Sequence, residues 1–280
     1  MTNRFLILFF LLFLAAQALA QQAPLGPEYT ERDRLRLEGD SLRFCVISDN
    51  LPADYHRELA TELAATQLLE ARIVEVDPPR PSEPLDYRLF LEEAQLYYLL
   101  ANDCEVFMGL ALTSSLSRWD WLLTSQPYHV SHSVFVTRDE QLTKWTDLPL
   151  DETIGTRVQT SSDIQLATYL TGLSENRRWK RVPNYNNEQP LVQLAEGKIG
   201  LALVWEPAVV HFMEEHEDAA DFRTLPTEPL GSSQLQLGLG LRSQDSFLQA
   251  SLDTAISELE ALGILDELAT RYDLPTDPLP

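Results

Sequence analysis

Thr113-Ser-Ser115-Leu-Ser-Arg118-Trp119-Asp-Trp121-Leu-Leu-Thr-Ser-Gln-Pro127-Tyr128 is the stretch on which the reading of the chain turns. A single arginine, preceded by hydroxyl residues, stands ten positions before a Pro-Tyr pair that opens an apolar strand. A guanidinium offers a rigid fork of donors that matches a carboxylate. Thr113 and Ser115 can add hydroxyl donors to the same anion. A surface ion pair is the alternative use of such an arginine. Trp119 and Trp121 either line a cleft beside it or pack beneath one.

Upstream, the chain opens as an export signal. Arg4 supplies a positive start, Phe5 to Ala16 an apolar run, and Ala18-Leu19-Ala20 a small-residue cleavage site. The run is too short to span a bilayer, so residues 1–20 are expected to be a cleaved signal peptide and not a membrane anchor. The expected mature protein is periplasmic. The formal charge of -22 becomes one unit more negative when Arg4 leaves. Such a surface argues against nucleic acid and against anionic membranes as partners. Cys45 and Cys104 are the only cysteines. An even count in an oxidising compartment predicts a disulfide between them, and no histidine or further cysteine sits at zinc-ligand spacing nearby.

Downstream and upstream of the opening stretch, strand and helix patterns alternate. Residues 21–40 read as a polar extension. Strands are expected at Leu42–Ser48, Arg72–Val76 and Glu105–Leu112, with helices at Tyr55–Ala71 and Leu89–Ala101 between them. After a β-rich run at Ser133–Thr137 the pattern restarts. Strands follow at Thr153–Gln159, Arg181–Pro183 and Ile199–Trp205, with helices at Asp163–Leu173, Leu191–Glu196 and Pro207–Glu215. Leu235–Leu241 reads as a strand returning from the second unit, and Phe247–Leu262 and a helix ending at Arg271 close the chain. Two α/β units joined by crossings near 130–138 and 232–242 predict two lobes, each a mostly parallel sheet flanked by helices, with a two-strand hinge. The boundaries expected are 41–134 with 236–280 for lobe I and 135–235 for lobe II. His129 and His132 lie three apart on an extended segment and so face different ways, which disfavours a metal pair. No nucleophile elbow, zinc-protease or phosphate-loop motif is present, so neither an enzyme nor a cofactor is expected.

Thr113, Ser115, Arg118, Pro127 and Tyr128 fit the pattern T-x-T-x-x-R…F-S-x-P-Y, and the chain over 41–275 resembles the extracellular solute-binding proteins of the polar-amino-acid type. In that family the Thr and Arg clamp a ligand carboxylate. Gly155–Ser162 resembles its G-x-x-V-G-V-x-x-G-T-T segment, with Ser161 and Ser162 at the helix start where an anion can be held. Gly197–Pro207 resembles its G-x-h-D-A-h-h-h-D-x-P strand, but the acidic position that holds an ammonium is Trp205, and Glu206 beside it points to the opposite face. The first loop also lacks the family's aromatic lid. Narrower likenesses occur in Leu42–Cys45, Asn50–Pro52, Cys104–Gly109, Leu122–Arg138 and Val204–Pro207. They resemble the MoxJ/XoxJ-like accessory proteins of PQQ-dependent alcohol dehydrogenases. That resemblance implies a periplasmic accessory of a methanol dehydrogenase system, whose cleft holds the dehydrogenase, its cytochrome or a peptide during assembly. The alternative is a receptor delivering a small acidic solute to an ABC permease. In either role the expected binding set is Arg118, Thr113, Ser115, Trp119, Tyr128, Ser161, Ser162, Trp205 and Glu206.

Overall fold

The computed structural model describes residues 40–48, 51–77, 93–113, 116, 119–158, 160–231 and 234–279. The expected signal peptide and nearly all of the expected extension lie outside these residues, as does the proline-rich stretch at 80–86.

The first half begins with strand β1 (Ser41–Ile47), helix α1 (Ala53–Thr66), strand β2 (Glu70–Val76), helix α2 (Glu93–Asn102) and strand β3 (Val106–Ala111). β1 pairs in parallel with both β2 and β3. This is what short apolar strands separated by helices produce. Helix α1 is shorter than its sequence suggested. Leu68 takes a left-handed conformation with φ 58°. The Leu69 N–H then returns to the Ala64 carbonyl, and Glu70 is recruited by β1 as its partner opposite Ser41. Residues 70 and 71, good helix formers in isolation, are therefore strand because an open sheet edge needs their backbone groups.

Short strand β4 (Leu122–Thr124) precedes the long strand β5 (His129–Thr137). The second half contains strand β6 (Thr153–Arg157), helix α3 (Ser161–Thr171), strand β7 (Lys180–Asn184), helix α4 (Glu188–Ala195), strand β8 (Leu201–Trp205), helix α5 (Glu206–Glu215) and strand β9 (Arg223–Leu225). The chain then returns through strand β10 (Gln234–Arg242) to helices α6 (Ser246–Ala261) and α7 (Ile264–Arg271). Along the sheet the order is β2-β1-β3-β10-β5-β8-β6-β7, with β4 on β10 and β9 on β5. β6 pairs in parallel with β7 and β8, whereas β5 and β10 run antiparallel to their neighbours. Each half thus has three parallel strands, and β5 belongs to both.

Helices cover both faces. In the first half, Leu42, Phe44 and Val46 of β1 pack with Leu59 and Leu63 of α1 and with Leu252, Ile256 and Leu259 of α6. Cys45 points to the other face, with Leu96 and Leu100 of α2. In the second half, Leu201 and Leu203 pack towards α3, while Ala202 and Val204 pack towards α4 and α5. The period-two alternation of each strand decides which core a residue joins.

Candidate functional site

Three features meet at β5, where the halves join. The first is the start of α3. Thr160 caps this helix, accepting the Asp163 N–H at 3.2 Å. Its own hydroxyl donates to the Arg157 carbonyl at 2.9 Å. Ser162 lies 3.0 Å from the Thr160 hydroxyl, and Ser133 on β5 donates to Ser162 at 3.2 Å. The Thr160 proton is committed to a carbonyl, so Ser162 donates to Thr160 and the hydroxyls run Ser133, Ser162, Thr160. This chain stands at the positive end of a helix dipole and beside N–H groups that the helix itself does not use. Asp163 is turned away from it, accepting from Thr156 at 2.7 Å and pairing with Arg181.

The second feature is Trp205. It closes β8 opposite Ser133. Its indole N–H donates to the Ser131 hydroxyl at 2.6 Å, its ring meets that of His129 edge-on at 6.5 Å, and it packs against the first half's core. Period two along β5 puts His129, Ser131 and Ser133 on this one face.

The third is on the opposite face. His132 lies with Nδ1 3.2 Å from Asp277 and Nε2 3.5 Å from Glu206. Two concavities of about 320 and 290 Å³ open here, sharing His132, Ser133, Thr227 and Glu228.

The described members of the expected binding set occupy several parts of the fold. Arg118 and Ser115 lie outside the described residues. Thr113 is exposed just after β3, its carbonyl accepting the Leu116 N–H at 3.1 Å. Trp119 is half-buried and stacks on Trp121 with centroids 5.8 Å apart, both packing around the Cys45–Cys104 cluster. Tyr128 is a core residue, 2% exposed. Its oxygen accepts the Gly109 N–H at 2.7 Å and its hydroxyl donates to His56 Nε2 at 2.9 Å. Ser162 and Trp205 do face the junction, Ser161 is exposed at the helix start, and Glu206 is engaged with His132. The structure adds Ser131, Ser133 and Thr160 to this region. Alternating hydroxyls in an otherwise apolar strand were the available signal for the first two.

Burial sets the electrostatics beneath the junction. Desolvation pushes His129 down to about 4, opposed by Asp277. It pushes His56 down to about 3, with His129 and Arg57 adding to the effect. Both rings are therefore neutral in the fold, which fits His56 acting as acceptor for Tyr128. Burial raises the Tyr128 hydroxyl well above its ordinary value, with Tyr55 adding and the Gly109 N–H opposing. Arg157, at the end of β6, is lowered by desolvation. Among the described residues no cluster of metal-ligating side chains occurs, and no helix is long and apolar enough to cross a membrane.

No protein-family profile matches the sequence, and no characterised protein matches it by sequence. The structure, in contrast, has the two-lobed α/β fold of periplasmic binding proteins. An ancestral cationic amino-acid solute-binding protein superposes with a TM-score of 0.64 at 15% identity, over 83% of this chain and 95% of that one. The second substrate-binding domain of GlnP from Lactococcus lactis, in its open conformation, gives 0.60 at 16% identity, over 84% and 96%. A mutant of the arginine-binding protein ArgBP from T. maritima gives 0.55 at 18% identity, over 83% and 95%.

Proposed function

We propose that this chain is an exported solute-binding protein that presents a small carboxylate-bearing solute to an ABC-type transporter. The observation that carries this reading is the hydroxyl chain Ser133–Ser162–Thr160 at the start of α3, placed where the two halves join. A carboxylate there meets the free N–H groups of a helix N-terminus, and Ser133, at the head of the hydroxyl chain, can turn its proton from Ser162 to the anion. The fold supports the same reading, since the proteins it resembles are named as binding proteins for amino acids or as transporter domains. The carboxylates nearest the site, Asp163 and Glu206, are engaged by Arg181 and His132, and Trp205 offers an aromatic wall instead. The solute's other end is accordingly neutral or apolar, and free α-amino acids bind weakly because an unpaired ammonium is costly to desolvate.

The dehydrogenase-accessory role rests on the sequence likenesses around Cys104–Gly109 and Val204–Pro207, and the structures compared above are named for amino-acid binding or transport. Another similar structure is named as a precursor of cyclohexadienyl dehydratase, so the scaffold has an enzymatic descendant.

A thermal-shift screen of mono- and dicarboxylates against the mature protein tests the proposal. A ligand at about 100 times its dissociation constant stabilises by about 2.7 kcal/mol. A carboxylate hit whose shift is lost in Ser162→Ala supports it. A tight standard amino acid would overturn the solute class. Retention of a quinoprotein dehydrogenase from periplasm, with no carboxylate hit, would overturn the transporter role.

A further inference from the structure

One run in the second half reverses the charge of the molecule. The chain carries a formal charge of -22, yet residues 160–187 hold four cationic side chains and two carboxylates. The four stand within five positions, Arg177-Arg178-Trp179-Lys180-Arg181, where the chain enters β7. One of the two carboxylates, Asp163, is buried and paired with Arg181, which leaves Glu175 as the exposed one. Elsewhere cations are neutralised in place: Arg43, Arg57, Arg138, Lys198, Arg242 and Arg271 all sit in ion pairs. Among the described residues Arg177, Arg178 and Lys180 sit in none, and all three are exposed. Asp151 and Glu152 precede β6, whose first residue Thr153 lies opposite Lys180, but neither forms an ion pair with the run.

The fold holds this run outward. Trp179 is buried, its indole N–H donates to the Leu148 carbonyl at 2.9 Å, and its ring meets that of Trp145 at 5.5 Å. The exposed Arg178 and Lys180 flank this anchor. Arg178 also donates to the Leu173 carbonyl at 3.0 Å and to the Thr171 carbonyl at 3.3 Å, at the end of α3, while Arg181 pairs with Asp163 at the helix start. The cationic edge therefore runs the length of α3. The outward residues of that helix, Ser161, Ile164, Thr168 and Thr171, are exposed and uncharged. β7 ends the strand order, so its outer side meets no further strand among the described residues. Charges on a free edge keep it from pairing with another sheet. Lys180 and Pro183 serve that end within β7, whereas Arg177 and Arg178 precede the strand.

We propose that the β7 edge and the outer face of α3 form a docking surface for a short acidic segment of a partner protein. Guanidinium forks and an ammonium match carboxylates, and the uncharged α3 face beside them gives the segment's backbone and apolar side chains a place to rest. The overall charge selects the kind of partner. A strongly acidic molecule is repelled by an extended anionic surface, such as a membrane or a nucleic-acid duplex. A short segment engages the patch locally, within about one Debye length of ~10 Å at 0.1 M salt. The proposal does not depend on which solute the junction takes.

A labelled oligoglutamate peptide titrated into the mature protein at low salt, followed by fluorescence anisotropy and hydrogen exchange, tests the proposal. The peptide should bind, should protect the amides of residues 175–182 and of α3, and should be released by added salt. Arg177→Gln/Lys180→Gln should weaken binding about fivefold. Both side chains are exposed and outside ion pairs, so the melting temperature of this variant should match the wild type. Arg72→Gln/Lys144→Gln removes two exposed cations elsewhere and should leave the affinity as it is. No binding at low salt, protection confined to other parts of the chain, or equal losses in the two double variants overturns the proposal. So does binding of phosphatidylglycerol vesicles through Arg177 and Lys180 without binding of the peptide, which would make this a lipid-facing edge.

Discussion

The two halves share β5 and the same layered plan of three parallel strands between helices, yet different chemistry holds them. The first half carries a covalent link between adjacent strands and a buried polar network of His56, Tyr128 and the Gly109 N–H. The second half has its own buried polar contact, Thr156 with Asp163, but holds no disulfide; two apolar clusters cover the faces of its sheet, and its histidines, His211 and His216, lie near the surface. One topology can therefore be stabilised in two ways that respond to different insults. Reductant and acid should act on the first half, and mutations in the apolar clusters on the second.

The largest effect is expected from the disulfide. Cys45 and Cys104 join β1 to the start of β3 with Cα atoms 5.6 Å apart and a sequence separation of 59. On the chain-entropy model a loop of this length contributes about 4 kcal/mol. The Cys45→Ala/Cys104→Ala variant should lose about that much in urea unfolding. Its hydrogen exchange should rise in β1–β3 well before it rises in β6–β8. A uniform rise in both halves would erase the contrast drawn between them.

Acid comes next. His56 and His129 are neutral in the fold, with values of about 3 and about 4. The unfolded chain takes up protons at these residues below about pH 6.5, and the folded chain does not. Their neutral forms thus leave stability undiminished above that pH. It falls as pH drops towards 4 for His129 and 3 for His56, by about 1.4 kcal/mol per unit for each residue. At pH 5 the loss is about 2 kcal/mol for each. Denaturant midpoints between pH 8 and pH 4 measure it, and a flat profile would mean that the buried rings find proton acceptors as they ionise.

This difference between the halves was only partly visible in the sequence. The strand and helix alternation was legible because short apolar runs and helical faces are local patterns. The disulfide was legible because two cysteines in a chain read as exported have few other uses. The end of α1 was not, because a sheet edge distant in sequence, opposite Ser41 and Leu42, claims the backbone of Glu70 and Ala71 only once β1 is in place. Tyr128 was read as a binding residue because a Pro-Tyr pair beside an arginine marks a site in a known pattern. Its burial depends on Gly109, whose φ of 76° and missing Cβ let His56 approach; a Cβ there would lie 2.5 Å from the ring. No local pattern predicts such an approach. Ser133 was passed over, and His132 was weighed only as a metal ligand, since their contacts come from α3, α5 and the tail, all distant in sequence.

A smaller effect should follow from Tyr128→Phe. The ring is kept, but the Gly109 N–H loses its acceptor and His56 Nε2 its donor. Leaving a buried polar group unsatisfied costs about 1–3 kcal/mol. The loss should appear in exchange of the β3 amides and leave β6 and β7 unchanged. If the second half softens equally, the network serves the whole molecule and not the first half alone.

The smallest effect is expected where the halves meet, at Trp205. Its ring belongs by sequence to β8 of the second half but packs against the first half's core and His129. Trp205→Phe retains most of that aromatic contact and removes only the N–H that reaches Ser131. The lost bond is worth about 0.5–1.5 kcal/mol. Global stability should therefore fall by about 1 kcal/mol or less. Trp205→Ala removes the ring as well and should cost more, since burial of aromatic surface is lost with the bond. The gap between the two variants separates packing from hydrogen bonding at the junction. A large gap, with Phe close to wild type, makes Trp205 an apolar wedge between halves that stay otherwise independent. A Phe variant as unstable as Ala would instead make the Trp205–Ser131 bond the tie, and the two halves would then have to be treated as one cooperative unit joined through β5.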